Sequence, residues 1–171
     1  MDIKVFSPMI RRWSMTCVFV VCLMIAAPTF AEDMPGGAQL GMSADQLAQS
    51  VPSLTKVRRP VRMTGGLVGS WSGSSTEIGG VRMTPTYFFA EGELRRIEYF
   101  YESSHTSADF DALVAWGRGR WGQEVTSYGP RTTYASWAKD DVDAMIQQTE
   151  GSPGQLRFIV KERVLKDASQ L

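Results

Sequence analysis

The stretch Thr86–Ser103, TYFFAEGELRRIEYFYES, decides the fold class. Two runs rich in aromatic residues flank Ala90-Glu91-Gly92-Glu93, a short connection containing glycine, and that pattern predicts a β-hairpin. Side chains alternate across a strand. In the second run Arg95, Ile97, Tyr99 and Tyr101 are therefore expected on one face, and Leu94, Arg96, Glu98 and Phe100 on the other. Tyr87, Phe88, Phe89, Tyr99, Phe100 and Tyr101 put rings on both faces. Either some of them form an exposed patch that meets a partner, or both faces are buried.

Upstream, LGMSADQLAQSVPSL at Leu40–Leu54 carries a helix start. Ser43 and Gln46 have the spacing of a capping box, and Met42 and Leu47 that of a hydrophobic staple. Pro52 disfavours helical backbone at Val51, so this helix is expected to end near Ser50. Between it and the hairpin lies a segment rich in Gly and Ser, bounded by Val61-Arg62-Met63-Thr64 and Val81-Arg82-Met83-Thr84. Each copy alternates in strand fashion. The two are read as similar strands around a Gly/Ser connection with Trp71 at its centre.

Downstream, Phe110, Leu113, Val114, Gly117 and Trp121 form one apolar stripe, predicting a second helix over Ser107–Val125 capped by Thr106 or Ser107. Three further strands are expected in TTYASWA, VDAMIQQ and LRFIVKERV, with Leu156, Phe158 and Val160 facing one way and Arg157, Ile159 and Lys161 the other. The expected fold is α+β: two helices packed on one face of an antiparallel sheet. Ser43-Ala44-Asp45 and Ser107-Ala108-Asp109 open the two helices, and Leu94-Arg95-Arg96-Ile97 and Leu156-Arg157-Phe158-Ile159 follow turns at a similar offset. Two degenerate helix-plus-strands repeats are thus one option and an unrepeated domain the other.

The N-terminal end reads differently. Lys4, Arg11 and Arg12 precede the apolar run Cys17–Ala27, and small residues around Ala31 precede Glu32-Asp33, the layout of a cleaved signal peptide. Residues 1–31 are read as that signal, 32–39 as a flexible lead and 40–171 as a single domain. The run stops at Pro28, too short to span a bilayer, so no transmembrane anchor is expected after cleavage. Both cysteines, Cys17 and Cys22, fall in the leader, which leaves no thiolate or disulfide for the remainder. The expected location is periplasmic or secreted. Eighteen Lys and Arg balance eighteen Asp and Glu, which gives no electrostatic case for nucleic acid.

Candidate chemistry is sparse. His105 is the single histidine, with no second His or Cys to build a triad or a zinc site, so no metal and no cofactor is expected. GLVGSWSG lacks the serine of a nucleophile elbow, and no lysine completes a phosphate loop. Asp140, Asp141 and Asp143 lack the spacing of a calcium loop and read as a solvated turn. Glu91, Glu93, Glu98 and Glu102 offer carboxylates of the kind a glycosidase pairs, or simply charged strand faces. Lys56, Arg58, Arg59 and Arg62 form a short basic cluster, either solvated or facing an anionic lipid head group, polymer or protein.

LGMSADQL followed by YFFAEGELRRIEYFY resembles the small exported modules of the outer-membrane assembly lipoprotein (SmpA/OmlA) type and the β-lactamase-inhibitor-protein type. The resemblance implies short helical units on an antiparallel meander and a noncatalytic habit of protein binding. It carries over no functional residue, because the lipid-bearing cysteine of the first family and the paired cysteines of the second are missing. The expected function is a noncatalytic adaptor or inhibitor that binds an envelope or secreted protein, with Trp71, Arg95, Tyr99, Tyr101 and Trp137 as the binding residues. Two other classes stay open: an envelope hydrolase acting on a polymer through carboxylates, and a carrier of a small apolar ligand.

Overall fold

The structure is a computed structural model that describes residues 34–101, 106–151 and 154–163. The leader, the His105 loop with Glu102, and the end of the chain from residue 164 lie outside the described residues. Contacts gather Ala31–Leu171 into one compact unit. Within it the chain runs α1 (Ala44–Ser50), β1 (Thr55–Arg62), a 3-10 turn (Thr64–Gly66), β2 (Val68–Ser72), β3 (Thr76–Ile78), β4 (Val81–Ala90) and β5 (Glu93–Tyr101). It continues through α2 (Ser107–Trp121), β6 (Val125–Gly129), β7 (Thr132–Lys139), β8 (Val142–Thr149) and β9 (Gln155–Glu162).

This corrects the expected α+β architecture. The described residues form one nine-stranded antiparallel sheet in the order β1-β2-β4-β5-β9-β8-β7-β6, with β3 beside β4, and the two α-helices have only 7 and 15 residues. The fold is β-rich, with too little helix to make a second layer. Nor do two equal helix-plus-strands units appear: five strands and a 3-10 turn separate the helices, and four strands follow α2. Three strands carry the difference. The Gly/Ser segment read as a connection folds as β2 and β3, and Val125, placed at the end of the second helix, opens β6.

Local signals explain how the elements begin. Ser43 and Gln46 close the capping box reciprocally at 2.8 and 3.3 Å, and the buried Leu47 anchors α1 in the core. Gly41 N–H donates to Leu94 O, and Leu94 N–H to Met42 O, both at 2.8 Å, tying the approach to α1 to the start of β5. Thr106 and Asp109 form the corresponding box at α2. Its stripe buries Leu113, Val114 and Gly117 and ends at Trp121, four residues before the expected boundary.

The two VRMT copies do not form equivalent strands. Val61 and Arg62 close β1 opposite Gly69 and Val68 of β2, whereas Val81–Thr84 opens β4 between β3 and β5. β2 stands between the copies.

One bulge rearranges the faces of β5. Phe88 stands opposite Arg96 and Phe89 opposite Leu94, so Arg95 is an extra residue in the pairing. Leu94 is thereby turned to the same side as Ile97, and both are fully buried in the core. The strict alternation expected for this strand, with Leu94 opposite Ile97, holds only from Arg96 onward.

The core face is filled by rings. Tyr99 stacks on Phe158 with centroids 5.4 Å apart, and Trp116, Trp121 and Trp137 close around Phe158 from the α2 side. Trp137 donates its Nε1–H to Gly122 O at 2.8 Å, which pins the ring beneath the helix. A Cβ on Gly117 would lie 2.6 Å from the Trp137 ring, so only glycine permits this approach. Gly117→Ala is expected to lower unfolding free energy by about 1–3 kcal/mol through overpacking. Gly119, whose Cβ would meet nothing, should instead gain about 0.5–1 kcal/mol on substitution by Ala. Urea unfolding of the two variants checks both signs; equal shifts would discard the close-approach account.

Two buried phenols make stability depend on alkaline pH. Burial pushes the Tyr87 hydroxyl from 10.0 up to about 12 and raises Tyr99 well above its ordinary value. Tyr99 donates to Pro35 O at 2.9 Å, while the Tyr87 hydroxyl has no hydrogen-bond partner among the described residues. Because the folded value exceeds the unfolded one, the contribution of Tyr87 is complete below pH 10.0 and is lost as pH rises through about 12. Tyr87→Phe removes the unpartnered hydroxyl. It is expected to hold or raise stability at neutral pH, by up to about 1–3 kcal/mol, and to weaken the alkaline loss. Urea unfolding at neutral and at about pH 11 measures both; a variant that is less stable at neutral pH and keeps the full alkaline loss would contradict this.

Candidate binding face of the sheet

The strand pairings lay out the second face of the sheet row by row. Val125, Ser136, Met145, Ile159, Glu98 and Thr86 stand side by side across β6, β7, β8, β9, β5 and β4. On one side of that row run Ala138, Asp143, Lys161, Arg96, Phe88 and Gly69. On the other run Tyr134, Gln147, Arg157, Phe100 and Thr84. Residues at this period of two share one face. Phe88 and Ile159 are buried yet stand outside the main core cluster, as side chains of the opposite face would.

Guanidinium groups and rings alternate on this face. The Phe88 ring lies over Gly69, where a Cβ would come within 2.7 Å of it, and Arg96 sits 6.0 Å from its centroid. Arg157 lies 5.2 Å from the centroid of Phe100. Such stacking holds the planar cation in place and leaves its edges as donors. Arg96 Nε donates to Glu98 Oε1 at 2.7 Å, and a second contact from Nη2 completes the pair. Glu98 is 1% exposed, the one charged residue buried in the described structure. Asp143 is shared between Arg163 at 2.9 Å and Lys161 at 3.7 Å.

A groove of about 360 Å3 opens here, lined by Arg96, Val125, Ser136, Met145, Ile159, Asp143 and Lys161 together with Trp137, Ala138 and Ala144. Its floor is apolar and its rim charged. That combination suits a protruding apolar side chain flanked by polar groups.

The five residues expected to bind are dispersed. Tyr99 and Trp137, 0% and 5% exposed, are core residues fixed by their hydrogen bonds and rings, and of the two only Trp137 touches the groove. Tyr101 is half-buried on the core side. Trp71 packs against the core from β2, with Lys56 Nζ 5.2 Å from its ring centroid. Arg95 projects from the bulge, bound to Glu93 at 2.8 Å and to Glu162, whose hydrogen bond raises its already high pKa. None of the five belongs to the three rows above. Nor do the hairpin rings form a bare aromatic patch: Tyr87 and Tyr99 are buried in the core, and Phe88 and Phe100 lie under arginines.

Phe88 and Phe100 are among the rings weighed as a patch, whereas Arg96, Met145 and Arg157 are face residues that the sequence did not point to as binding residues. Their signal was the grouping of Arg157, Ile159 and Lys161 on one side of β9, but only the register with β5 brings them against Arg96 and Phe100.

The carboxylates considered for hydrolysis are committed elsewhere. Glu93 pairs with Arg95 and Glu98 with Arg96. Glu91 lies in the β4–β5 turn, while Glu102 and His105 lie outside the described residues. The junction of α2 with the sheet, where an apolar ligand would sit, is occupied by Trp137 against Gly117. Among the described residues no group of three His, Cys, Asp or Glu side chains gathers that would hold a metal, and no helix is long and apolar enough to cross a membrane. Comparison with protein-family models, with curated proteins and with solved structures finds no match.

Proposed function

We propose that the chain is a noncatalytic protein-binding module of the periplasm or the extracellular space, which engages a partner protein on the second face of its sheet. The observation that carries this reading is an open, apolar-floored groove with the stacked Arg96 at its rim and the stacked Arg157 in the next row of the same face. Arginine, aromatic residues and methionine are the types enriched where proteins meet, and arginines already held on rings lose little freedom on binding. The class of function agrees with what the resemblance to exported inhibitor and assembly modules implies. Export rests on the leader at residues 1–31.

The groove gives the reading its test. A photo-crosslinking residue in place of Met145 is expected to capture a discrete partner in cells, and one in place of Lys139, an exposed position outside the groove lining, is not. Adding Arg157→Ala should reduce that crosslink by a factor of about 30, the scale of one interface hot spot. Equal labelling from both positions, or none, would remove this face from consideration.

Export is checked independently by intact mass. The protein purified from the envelope or the medium should begin at Glu32; retention of Met1 would withdraw the assigned location.

A further inference from the structure

β1 forms one edge of the sheet, and its pairing with β2 is broken in the middle. Lys56 stands opposite Trp71 and Val61 opposite Gly69, so Val57-Arg58-Arg59-Pro60 bows out against Ser70 alone. Every residue of the strand except Val57 is exposed, and Val61 retains 53% of its surface. Bulges of this kind re-aim side chains at sheet edges.

The bowed strand carries Lys56, Arg58, Arg59 and Arg62, and residues 46–76 contain no Asp or Glu at all. None of the four cations enters an ion pair among the described residues. Elsewhere in the same sheet Arg95, Arg96, Lys161 and Arg163 each pair with a carboxylate. Charge also blunts a sheet edge against pairing with other chains, but Pro60 and the bow already interrupt the hydrogen-bonding row. Four like charges in addition create an uncompensated positive field.

The shape of the strand selects among anions. A small anion needs donors that converge in a concavity, whereas these side chains extend from both faces of an exposed ribbon. An acidic peptide adding as a strand needs a continuous edge, which the bow and Pro60 deny it. An extended anionic surface needs neither. Exposed Val61 among the cations supplies an apolar group of the kind that settles at a lipid interface.

We propose that the bowed edge strand β1 docks the protein on an anionic lipid surface, with Lys56, Arg58, Arg59 and Arg62 meeting the phosphate headgroups and Val61 entering the interface. Each cation near such a surface strengthens binding about fivefold at ordinary ionic strength. Arg96, Met145 and Arg157 take no part, so substitutions there separate this proposal from the protein-binding reading.

Co-sedimentation with lipid vesicles tests it, using the Ala31–Leu171 unit so that the apolar leader does not contribute. The protein should bind vesicles of phosphatidylglycerol mixed with phosphatidylcholine, leave vesicles of phosphatidylcholine alone unbound, and dissociate as salt is raised. The variant Lys56→Gln/Arg58→Gln/Arg59→Gln/Arg62→Gln should bind several hundredfold more weakly, on the order of fivefold per charge, with an unchanged circular dichroism spectrum and melting temperature. Lys139→Gln and Met145→Ala/Arg157→Ala should bind as the parent does. No binding to the mixed vesicles, or equal binding by the fourfold variant, overturns the proposal. So does capture by immobilised polyglutamate without vesicle binding, which would assign the edge to an acidic protein instead.

Discussion

Tyr99 lies flat against Phe158 across the β5–β9 pair, and the register that places these two rings together governs the rest of the molecule. β5 closes the strands that precede α2 and β9 ends those that follow it, so this pair alone joins the two stretches of sheet. On the core side it also matches Ile97 with Val160. On the other side it matches Arg96 with Lys161, Glu98 with Ile159 and Phe100 with Arg157. A slip of β9 by one residue against β5 would send Phe158 to the second face and put Arg157 and Lys161 into the core. Burying one unpaired charge costs more than any ring contact returns, so the register has no near competitor.

The same register accounts for a charge buried where no helix covers it. Glu98 sits between Thr86 of β4 and Ile159 of β9, with Arg96 folded over it from the same strand. The exchange of water for a single guanidinium contributes little to stability, since the desolvation of both groups offsets most of their attraction. What the pair does is directional. It fixes the plane of Arg96 above Phe88, and Phe88 in turn covers Gly69, so a row from β5 to β2 is ordered by contacts within the face itself. A face ordered in that way keeps its shape without a second layer, and the groove beside it is formed before any partner arrives.

How much of this is legible in the sequence depends on the range of the interaction. Both capping boxes, the β4–β5 hairpin and the stripe of α2 are set by residues three to seven apart, and they fold as their spacing predicts. The balance of helix and strand is not legible in that way. Gly69, Ser70 and Ser72 have poor strand propensity, yet β2 forms because it is paired on both sides, by β1 and β4, and because Phe88 needs a neighbour without a side chain. The bulge at Arg95 leaves no local mark, since Leu94-Arg95-Arg96-Ile97 reads equally well as unbroken alternation. It exists because Leu94 gains burial beside Met42 and Ile97 together. Tyr99, Trp137 and Trp71 drew attention as possible contacts because tyrosine and tryptophan serve interfaces and cores alike. Only a hydrogen bond such as that of Trp137 to Gly122, or of Tyr99 to Pro35, separates the two uses, and both join residues distant in sequence.

The two edges of the sheet differ in a way that bears on how the face between them is presented. β6 is five residues long, without Pro, Lys, Arg, Asp or Glu, and shows Val125 and Tyr128 to solvent at 69% and 80%. β1 is bowed, interrupted by Pro60 and strongly basic. Brevity protects the first edge, and the bow with Pro60 the second; these act only by contact, whereas the charge of β1 acts over about 8–10 Å. The field of β1 would therefore act before contact, while β6 lies at the other end of the strand order. The groove is lined from β5 across to β6, so β2 and β4 stand between it and β1 in the strand order, and the basic edge and the groove are separate features of one sheet.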